Sequence, residues 1–131
     1  MIVVDASVLV NLVADDGPDG AHVRDLVVRA GPVAIPDIAD VETMAVLRKR
    51  WIAGTITTRR LSAAVDDLTA LPFRRYPARP LLHRVHELRS NVTPYDAVYV
   101  ALAEALEYDL LTADRRLARA PGPRCPIRVV V

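Results

Sequence analysis

The chain has 131 residues, of which 52% are hydrophobic and 25% charged, and this predicts one globular domain, residues 1–131, with enough apolar material for a core. Seventeen Lys and Arg residues nearly balance sixteen Asp and Glu residues, so the formal net charge of +1 excludes a polyanion-binding surface that extends over the whole chain. Any nucleic-acid surface must therefore be a local patch.

Cysteine content and hydropathy bear on the compartment. Cys125 is the only cysteine, which excludes an intramolecular disulfide and a zinc cluster of thiolates and favours a reducing compartment. No apolar run approaches the roughly 20 residues of a membrane span, and Asp5 interrupts what would be the apolar region of a signal peptide. We therefore expect a cytoplasmic protein that does not engage a membrane.

The first half of the chain alternates short apolar runs with segments of helical periodicity. Ile2, Val3 and Val4 form a β-branched run of the kind that is covered on both faces in a parallel sheet. Glycine and proline residues mark the breaks between elements, and Gly54 is placed to close the third helix. The patterns predict a strand at residues 2–4, helices at 7–13 and about 19–30, a strand at 32–36 and a long helix at 37–53.

The second half contains one helix that differs from the others in its hydrophobicity. The segment Thr93-Pro94-Tyr95-Asp96 has the features of a helix start, and residues 97–106 after it are nearly all apolar, so this helix should be buried on most sides. The other elements predicted here are a helix at 58–71, a weaker extended segment at 73–76, a polar helix at 80–90, a strand at 109–114, a short helix at 114–120 and a final strand at 127–131.

This order of elements predicts an α/β fold, a three-layer sandwich in which a parallel sheet is flanked by helices. Polar residues follow two of the strands: Asp5 after the first, and Thr112 with Asp114 at the end of a later one. Glu42 and Asp96 lie at the starts of two helices. Strand ends and helix starts lie at the same edge of such a sheet, where ligands bind. Four carboxylates could therefore meet there.

Each of these acids also has a purely structural interpretation. Asp5 and Asp114 are favoured residue types at the N-terminus of the helix that follows each of them. Asp96 together with Thr93 forms a capping box. Glu42 could be an exposed helix acid, although no basic residue three or four positions further on is available to pair with it. Taken one by one, the acids leave both interpretations open.

Two observations favour a metal site over simple capping. Asp96 shares a stripe with Val100 and Ala103 on an otherwise apolar helix, so its carboxylate would be partly desolvated unless a positive group meets it. Four acids at one sheet edge would repel each other unless a cation is present, and hard oxygen ligands suit magnesium or manganese. The small polar residues that would orient the carboxylates around the metal are Ser7, Asn11 and Thr112.

The histidines and most of the arginines do not indicate a site. His83 and His86 have a spacing that can ligate metal on a helix, but no third nitrogen or sulfur ligand lies near them, so we assign them no site. Most of the arginine runs are typical of solvated faces. The arginines that are placed to touch a substrate phosphate are those next to Asp114, namely Arg115, Arg116 and Arg119.

In combination, four marks in the sequence resemble the PIN-domain ribonucleases, and closely the VapC toxins of bacterial VapBC toxin–antitoxin modules. The marks are Val3-Val4-Asp5-Ala6-Ser7, Glu42 early in the third helix, Thr93-Pro94-Tyr95-Asp96-Ala97 with its apolar helix, and Leu111-Thr112-Ala113-Asp114-Arg115-Arg116-Leu117. The resemblance covers the whole chain, and it is the combination, in this order and at this chain length, that is specific.

The resemblance implies an endoribonuclease that hydrolyses RNA phosphodiester bonds with a water activated by magnesium or manganese. It assigns Asp5, Glu42, Asp96 and Asp114 to the carboxylates around the metal, with Asp5 and Asp96 as the principal ligands. The small hydroxyl residues of the family, after the first acid and before the last, correspond to Ser7 and Thr112.

The resemblance also implies protein partners. Such proteins form homodimers and are inhibited by a small VapB-like antitoxin, whose C-terminal segment wraps the toxin and places a basic side chain in the acidic pocket. Some members carry a further acid just beyond the fourth, where this chain has Arg115 and Arg116, so the number of metal ions stays open.

Three other functions remain as alternatives at this point. A housekeeping RNA-processing nuclease of the same family would share every site residue. An aspartyl-phosphate phosphatase also places an Asp after its first strand, but it depends on a lysine late in the chain and on a second acid two residues after the first. Here the only lysine is Lys49, and Ser7 stands at the second position. A non-catalytic binding module would keep the acids without turnover.

Overall fold

The computed structural model describes residues 1–131 and contains one five-stranded sheet. The strands are β1 (Ile2–Val4), β2 (Val33–Pro36), β3 (Arg74–Tyr76), β4 (Asp109–Thr112) and β5 (Ile127–Val129). All neighbouring strands are parallel, and their order across the sheet is β3-β2-β1-β4-β5. Because β1 is the central strand, the residue that follows it lies at the middle of the carboxyl edge of the sheet.

Helices connect the strands. They are α1 (Ala6–Ala14), α2 (Pro18–Ala30), α3 (Ala39–Ile52), α4 (Thr58–Ala70), α5 (Leu82–Glu87), α6 (Pro94–Leu106) and α7 (Arg115–Arg119), with a 3₁₀ turn (Arg79–Leu81) before α5. Helices α2, α3 and α4 pack against α1, and α5 packs against α6. From β1 to β3 the chain moves across the sheet in one direction, and from β3 to β4 it moves back in the other. Right-handed crossovers therefore place α1 to α4 on one face of the sheet and α5 and α6 on the opposite face. The predicted three-layer α/β sandwich is confirmed.

Two elements dominate the core, the strand β1 and the helix α6. The three residues of β1 are at most 3% exposed, and residues 97–103 of α6 are all buried, as expected for a helix covered on most sides. Each large apolar side chain buried in this way contributes about 1.5–3 kcal/mol relative to exposure. The core therefore fixes the backbone at the end of β1 and the start of α6. No helix of this fold has the length and apolar character needed to cross a membrane.

The structure differs most from the sequence prediction at two helices. The third helix begins at Ala39 instead of residue 37, because Asp37 is bound to the end of β3: its N–H donates to the Tyr76 carbonyl (2.7 Å) and its Oδ1 accepts from the Ala78 N–H (3.2 Å). The polar helix predicted at 80–90 is instead a 3₁₀ turn followed by the short helix α5, which ends at Glu87.

Two glycines mark places where the backbone needs them. Gly54 has φ +77° directly after the cap of α3, and the N–H of Thr55 returns to the Arg50 carbonyl at 2.9 Å, so α3 closes where the sequence predicts. Gly20 lies in α2 where that helix passes the end of α1, and a Cβ there would stand 2.0 Å from the Asp15 carbonyl oxygen. The close contact between α1 and α2 depends on this missing side chain.

Candidate active site

Asp5 is the residue at which β1 ends and α1 begins. Its N–H donates to the Leu111 carbonyl of β4 at 3.2 Å, and its side chain is the N-cap of α1. Oδ1 of the carboxylate accepts hydrogen bonds from the Val8 N–H (3.1 Å) and the Ser7 hydroxyl (2.5 Å), and Oδ2 accepts one from the Thr112 hydroxyl (2.5 Å). The residue is only 4% exposed. The Asp5 side chain therefore caps α1 and, at the same time, binds the end of β4 through Thr112.

Ser7 and Thr112 connect Asp5 to the end of β4. The Ser7 hydroxyl oxygen accepts from the Ala113 N–H at 2.9 Å, and the Thr112 hydroxyl oxygen accepts from the Asp114 N–H at 2.9 Å. Each hydroxyl thus accepts from the backbone and gives its single proton to Asp5. These contacts fix the orientation of the Asp5 carboxylate.

Glu42, in the first turn of α3, is held by a residue of α6. The buried side chain of Tyr99 donates a hydrogen bond from its hydroxyl to Oε1 of Glu42 at 2.8 Å. Burial, together with the charge of Glu42, raises the pKa of Tyr99 above its usual range, so the hydroxyl keeps its proton. Burial is also the largest cause that raises the pKa of Glu42, and the charges of Asp96 and Asp5 add to it.

Asp96 and Asp114 reach the same edge from the starts of two helices. Asp96 is half-buried in the first turn of α6, and its N–H donates to Oγ1 of Thr93, the N-cap, at 3.4 Å. Burial, with a contribution from the charge of Asp114, raises the pKa of Asp96. Asp114 is exposed and caps α7 by accepting from the Arg116 N–H at 2.8 Å.

All four carboxylates line one cleft of about 320 Å³. Its twelve lining residues include four acids and a single base, Arg50, so the cleft carries an excess of negative charge. Burial raises the pKa of Asp5 against the hydrogen bonds that lower it, and the charge of Asp96 raises it further. The sequence prediction that four acids meet at this edge therefore agrees with the geometry. In their present positions, however, no three acidic, histidine or cysteine side chains surround one point closely enough to hold an ion.

The donor chemistry of the cleft fits a hard divalent cation. Carboxylate oxygens are the ligands that magnesium and manganese prefer. The three hydrogen bonds to Asp5 fill three of about four acceptor positions on its carboxylate, which leaves one on Oδ2. Oε2 of Glu42 has no hydrogen-bond partner at all. Unfilled acceptors in a cleft with excess negative charge are suited to a cation.

The other residues singled out in the sequence lie in different places. Asn11 lines the cleft together with the acids. Arg115, Arg116 and Arg119 are exposed on α7 and do not line it, and two of them border a separate concavity beside β5. His83 and His86 are exposed on α5, away from the acids.

Sequence reasoning missed two residues of the cleft, Tyr99 and Arg50. Tyr99 was included only in an apolar helix, yet it lies three residues after Asp96 and therefore on the same helix face. Arg50 belongs to the basic run Arg48-Lys49-Arg50, a pattern typical of a solvated face, although it follows Glu42 by eight residues and therefore lies on the same helix face. Helical spacing from each predicted acid was the signal that could have identified both.

Comparisons with known proteins are consistent with this geometry. The family model described as the PIN domain matches residues 2–123. The chain is 42% identical over 129 residues to ribonuclease VapC1 of Mycobacterium tuberculosis, an alignment that covers 98% of this chain and 96% of that protein. It is 37% identical over 130 residues to ribonuclease VapC12 of the same organism, with 99% of each chain covered.

Solved structures show the same fold at lower sequence identity. The structure of VapBC2 from Rickettsia felis, bound to a DNA fragment from their promoter, contains a chain that superimposes on this one with a TM-score of 0.68. The two chains are 17% identical, and the match covers 98% of each. At this identity the match supports the architecture of the fold and leaves its chemistry to the site itself.

Proposed function

The chain belongs to the PIN-domain family and has VapC ribonucleases as close relatives, and from this premise we propose that it is an endoribonuclease that acts as the toxin of a toxin–antitoxin pair. The observation that carries the proposal is the meeting of Asp5, Glu42, Asp96 and Asp114 in one cleft. We further propose that residues 1–131 form a single PIN domain and that the protein acts in the cytoplasm.

The residues of the cleft have distinct proposed roles. Asp5 and Asp96 would be the principal ligands of Mg²⁺ or Mn²⁺, and Glu42 and Asp114 would complete its surroundings. When bound, such an ion supplies an activated water and neutralises charge on the phosphate. No three carboxylates enclose one point, which agrees with a magnesium ion that would be held by one or two carboxylates and keep several of its waters.

The surrounding side chains hold the carboxylates in fixed orientations for binding of the ion. Ser7 and Thr112 hold the Asp5 carboxylate in one orientation through two short hydrogen bonds. The protonated Tyr99 hydroxyl holds one oxygen of Glu42 and leaves the other free. Packing of α6 in the core fixes the position of Asp96. The chain thus supplies the orientation of the ligands before any ion or RNA is present.

We also propose protein partners for this chain. A VapB-like antitoxin is supported by the similarity to a VapBC complex, and the excess negative charge of the cleft suits a basic side chain from such a partner. A homodimer is proposed as well. The exposed arginines of α7, namely Arg115, Arg116 and Arg119, lie outside the cleft and are available to phosphates further along the RNA.

RNA cleavage with and without divalent ions tests the proposed function. The purified protein should cut RNA in Mg²⁺ or Mn²⁺ and should stop when EDTA is added. Asp5→Asn should abolish cleavage in every condition, whereas Asp66→Asn, which removes an exposed acid from α4, should not. Full activity in EDTA, or full activity of Asp5→Asn, would contradict the proposal.

A further inference from the structure

We propose that the RNA-binding site extends along α3 beyond the acidic cleft, with Arg50 binding a phosphate away from the reacting one and a neighbouring cavity receiving the base next to it. This inference rests on the proposed ribonuclease function and adds a substrate-binding site to it. Three features of α3 and its surroundings carry the inference.

The first feature is the face that α3 presents to the cleft. Glu42, Val46 and Arg50 follow one another at intervals of four residues, and all three line the cleft. Eight residues of α-helix rise about 12 Å, so the backbone of Arg50 lies about two turns from that of Glu42, and no ion pair joins the two side chains. A guanidinium that starts two turns from Glu42 and is not paired with it is suited to a phosphate other than the one that reacts at the acids.

The second feature is the state of Arg50 itself. It is the single base that lines the cleft, and its guanidinium takes part in none of the six ion pairs of the structure. Its backbone, in contrast, is held firmly, because its carbonyl accepts hydrogen bonds from the N–H (2.9 Å) and the hydroxyl (3.0 Å) of Thr55. An anchored residue with an uncommitted planar cation is suited to a phosphate.

The third feature is a second cavity, of about 610 Å³, that shares Val46 and Arg50 with the cleft. The two concavities are therefore neighbours with Arg50 between them. Apolar groups offer a base a hydrophobic contact, and the Thr55 hydroxyl, which donates its proton to the Arg50 carbonyl, can still accept a hydrogen bond from the base. The uncharged residues that line the cavity are Ala14, Val46, Ala53, Thr55 and Ile56.

The charges around this second cavity do not oppose a nucleotide. Lys49 and Arg50 contribute two positive groups, and Asp15 and Asp16 two negative ones. The Asp16 carboxylate, however, accepts two hydrogen bonds from the Arg60 guanidinium, from Nε to Oδ2 at 2.9 Å and from Nη2 to Oδ1 at 3.0 Å. Oδ1 of Asp15 accepts from the Gly17 N–H at 2.7 Å, which ties this carboxylate to its own turn. With Asp16 paired to Arg60, the two cations of α3 exceed the one remaining carboxylate of this cavity, that of Asp15.

Substitution of Arg50 tests whether RNA binding depends on this arginine in particular or only on the total positive charge of α3. Arg50→Gln removes the charge but keeps a long polar side chain, and Arg48→Gln is the matched control, because Arg48 is an exposed arginine of the same helix that lines neither cavity. RNA binding is measured in Mg²⁺ with Asp96→Asn added to every protein so that the RNA stays intact.

A second variant tests the cavity. Ala53→Leu, at the cap of α3, narrows the second cavity without changing charge.

For RNA of ten nucleotides, we expect Arg50→Gln to raise Kd about tenfold, the loss of one charge-assisted contact, and to reduce the salt slope by about 0.7. Arg48→Gln should leave both unchanged. For a dinucleotide, which is too short to reach Arg50 from the acids, the two variants should behave alike. Ala53→Leu is tested by cleavage in the protein that keeps Asp96, where it should change the base preference at one position of the cleaved RNA.

Three results would overturn the proposal in distinguishable ways. If the unaltered protein neither binds nor cleaves RNA, the proposed function fails and this site with it. If the unaltered protein cleaves RNA but Arg50→Gln equals Arg48→Gln at every RNA length, only the extended site fails. If Arg50→Gln and Ala53→Leu weaken binding of a co-expressed antitoxin and leave RNA binding unchanged, the cavity is a protein-binding site instead.

Discussion

The hydroxyl of Tyr99 donates a 2.8 Å hydrogen bond to Oε1 of Glu42 and so joins α6 to α3 inside the acidic cleft. This contact couples a helix with seven consecutive buried residues to the only carboxylate of the site that lies on α3. Because α6 also carries Asp96 in its first turn, one helix positions two of the four acids, one directly and one through a hydrogen bond.

Tyr99→Phe should therefore weaken the site while the fold is kept. Loss of the hydroxyl leaves Glu42 without its donor, and we expect about a tenfold loss of Mn²⁺ affinity or of cleavage, the size of effect seen when a partner of a metal ligand is removed. Stability should fall by only about 1 kcal/mol. Titration calorimetry with Mn²⁺ and a cleavage assay give the two values. Tyr95→Phe, at a tyrosine that is 64% exposed, is the control and should change neither. Unchanged Mn²⁺ affinity in Tyr99→Phe would show that Glu42 does not depend on this contact.

Thr112→Val should affect both stability and activity. The substitution keeps the shape of the side chain, but it removes the donor to Asp5 and the acceptor of the Asp114 N–H. One buried group, the Asp5 carboxylate, and one part-buried group, the Asp114 N–H, lose partners, so we expect a loss of about 1–3 kcal/mol in the free energy of unfolding and a large loss of cleavage. Denaturant unfolding and cleavage rates measure these changes. Thr112→Ser should restore both, and Thr69→Val, on the exposed face of α4, should change neither. A fully active Thr112→Val would exclude the proposed orienting role.

The raised pKa values of the acids predict a pH dependence of stability. Burial and, to a smaller extent, neighbouring charges raise the pKa of Asp5, Glu42 and Asp96 in the folded protein. Between the ordinary value and the raised value the folded state binds more protons than the unfolded state, so these groups lower stability as pH rises through that window. In EDTA, Asp96→Asn should therefore gain in Tm relative to the original protein as pH rises above the ordinary value of 3.8. Thermal melts across pH measure the difference, and a difference that does not depend on pH would contradict it.

Gly20→Ala tests the close contact between α1 and α2. A Cβ at this position would lie 2.0 Å from the Asp15 carbonyl oxygen and 2.8 Å from its carbon, so the backbone itself must move. Although alanine favours helices, we expect a net loss of about 1–3 kcal/mol from overpacking. Denaturant unfolding of this variant beside Ala63→Gly, an exposed change within α4, provides the comparison. An unchanged or increased stability of Gly20→Ala would show that α2 can shift freely against α1.

The fold and the four acids were predictable because their signals are local. The apolar run of β1 and the apolar length of α6 each indicate a buried element, and the position of each acid at a strand end or helix start follows from the chain itself. The parallel arrangement then brings these ends to one edge. The sequence alone does not show whether an acid that caps a helix can also line the cleft. Asp5 and Asp114 each cap a helix and also line the cleft.

The residues that sequence reasoning missed depend on how helices face one another. Whether Arg50 lies in solvent or in the cleft is decided by the rotation of α3 against α1, a tertiary property. Arg115, Arg116 and Arg119 were singled out because they follow Asp114 in sequence, but once Asp114 caps α7 the arginines continue along an exposed helix away from the cleft. Proximity in sequence was a poor guide here, whereas helical spacing from Glu42 would have been a better one.

The claim that the four carboxylates form one cation site is tested most directly by thermal melts of the original protein, Asp96→Asn and Asp66→Asn, each in EDTA and in Mg²⁺. We expect Asp96→Asn to keep or raise Tm in EDTA, because it relieves repulsion in the cleft, and to lose cleavage. Mg²⁺ should stabilise the original protein and Asp66→Asn alike, by about 2.7 kcal/mol at a free concentration 100 times Kd, and should stabilise Asp96→Asn less. An Asp96→Asn variant that is destabilised in EDTA and shows the same Mg²⁺ shift as the original protein would contradict the account, because the acids would then serve only as local helix caps.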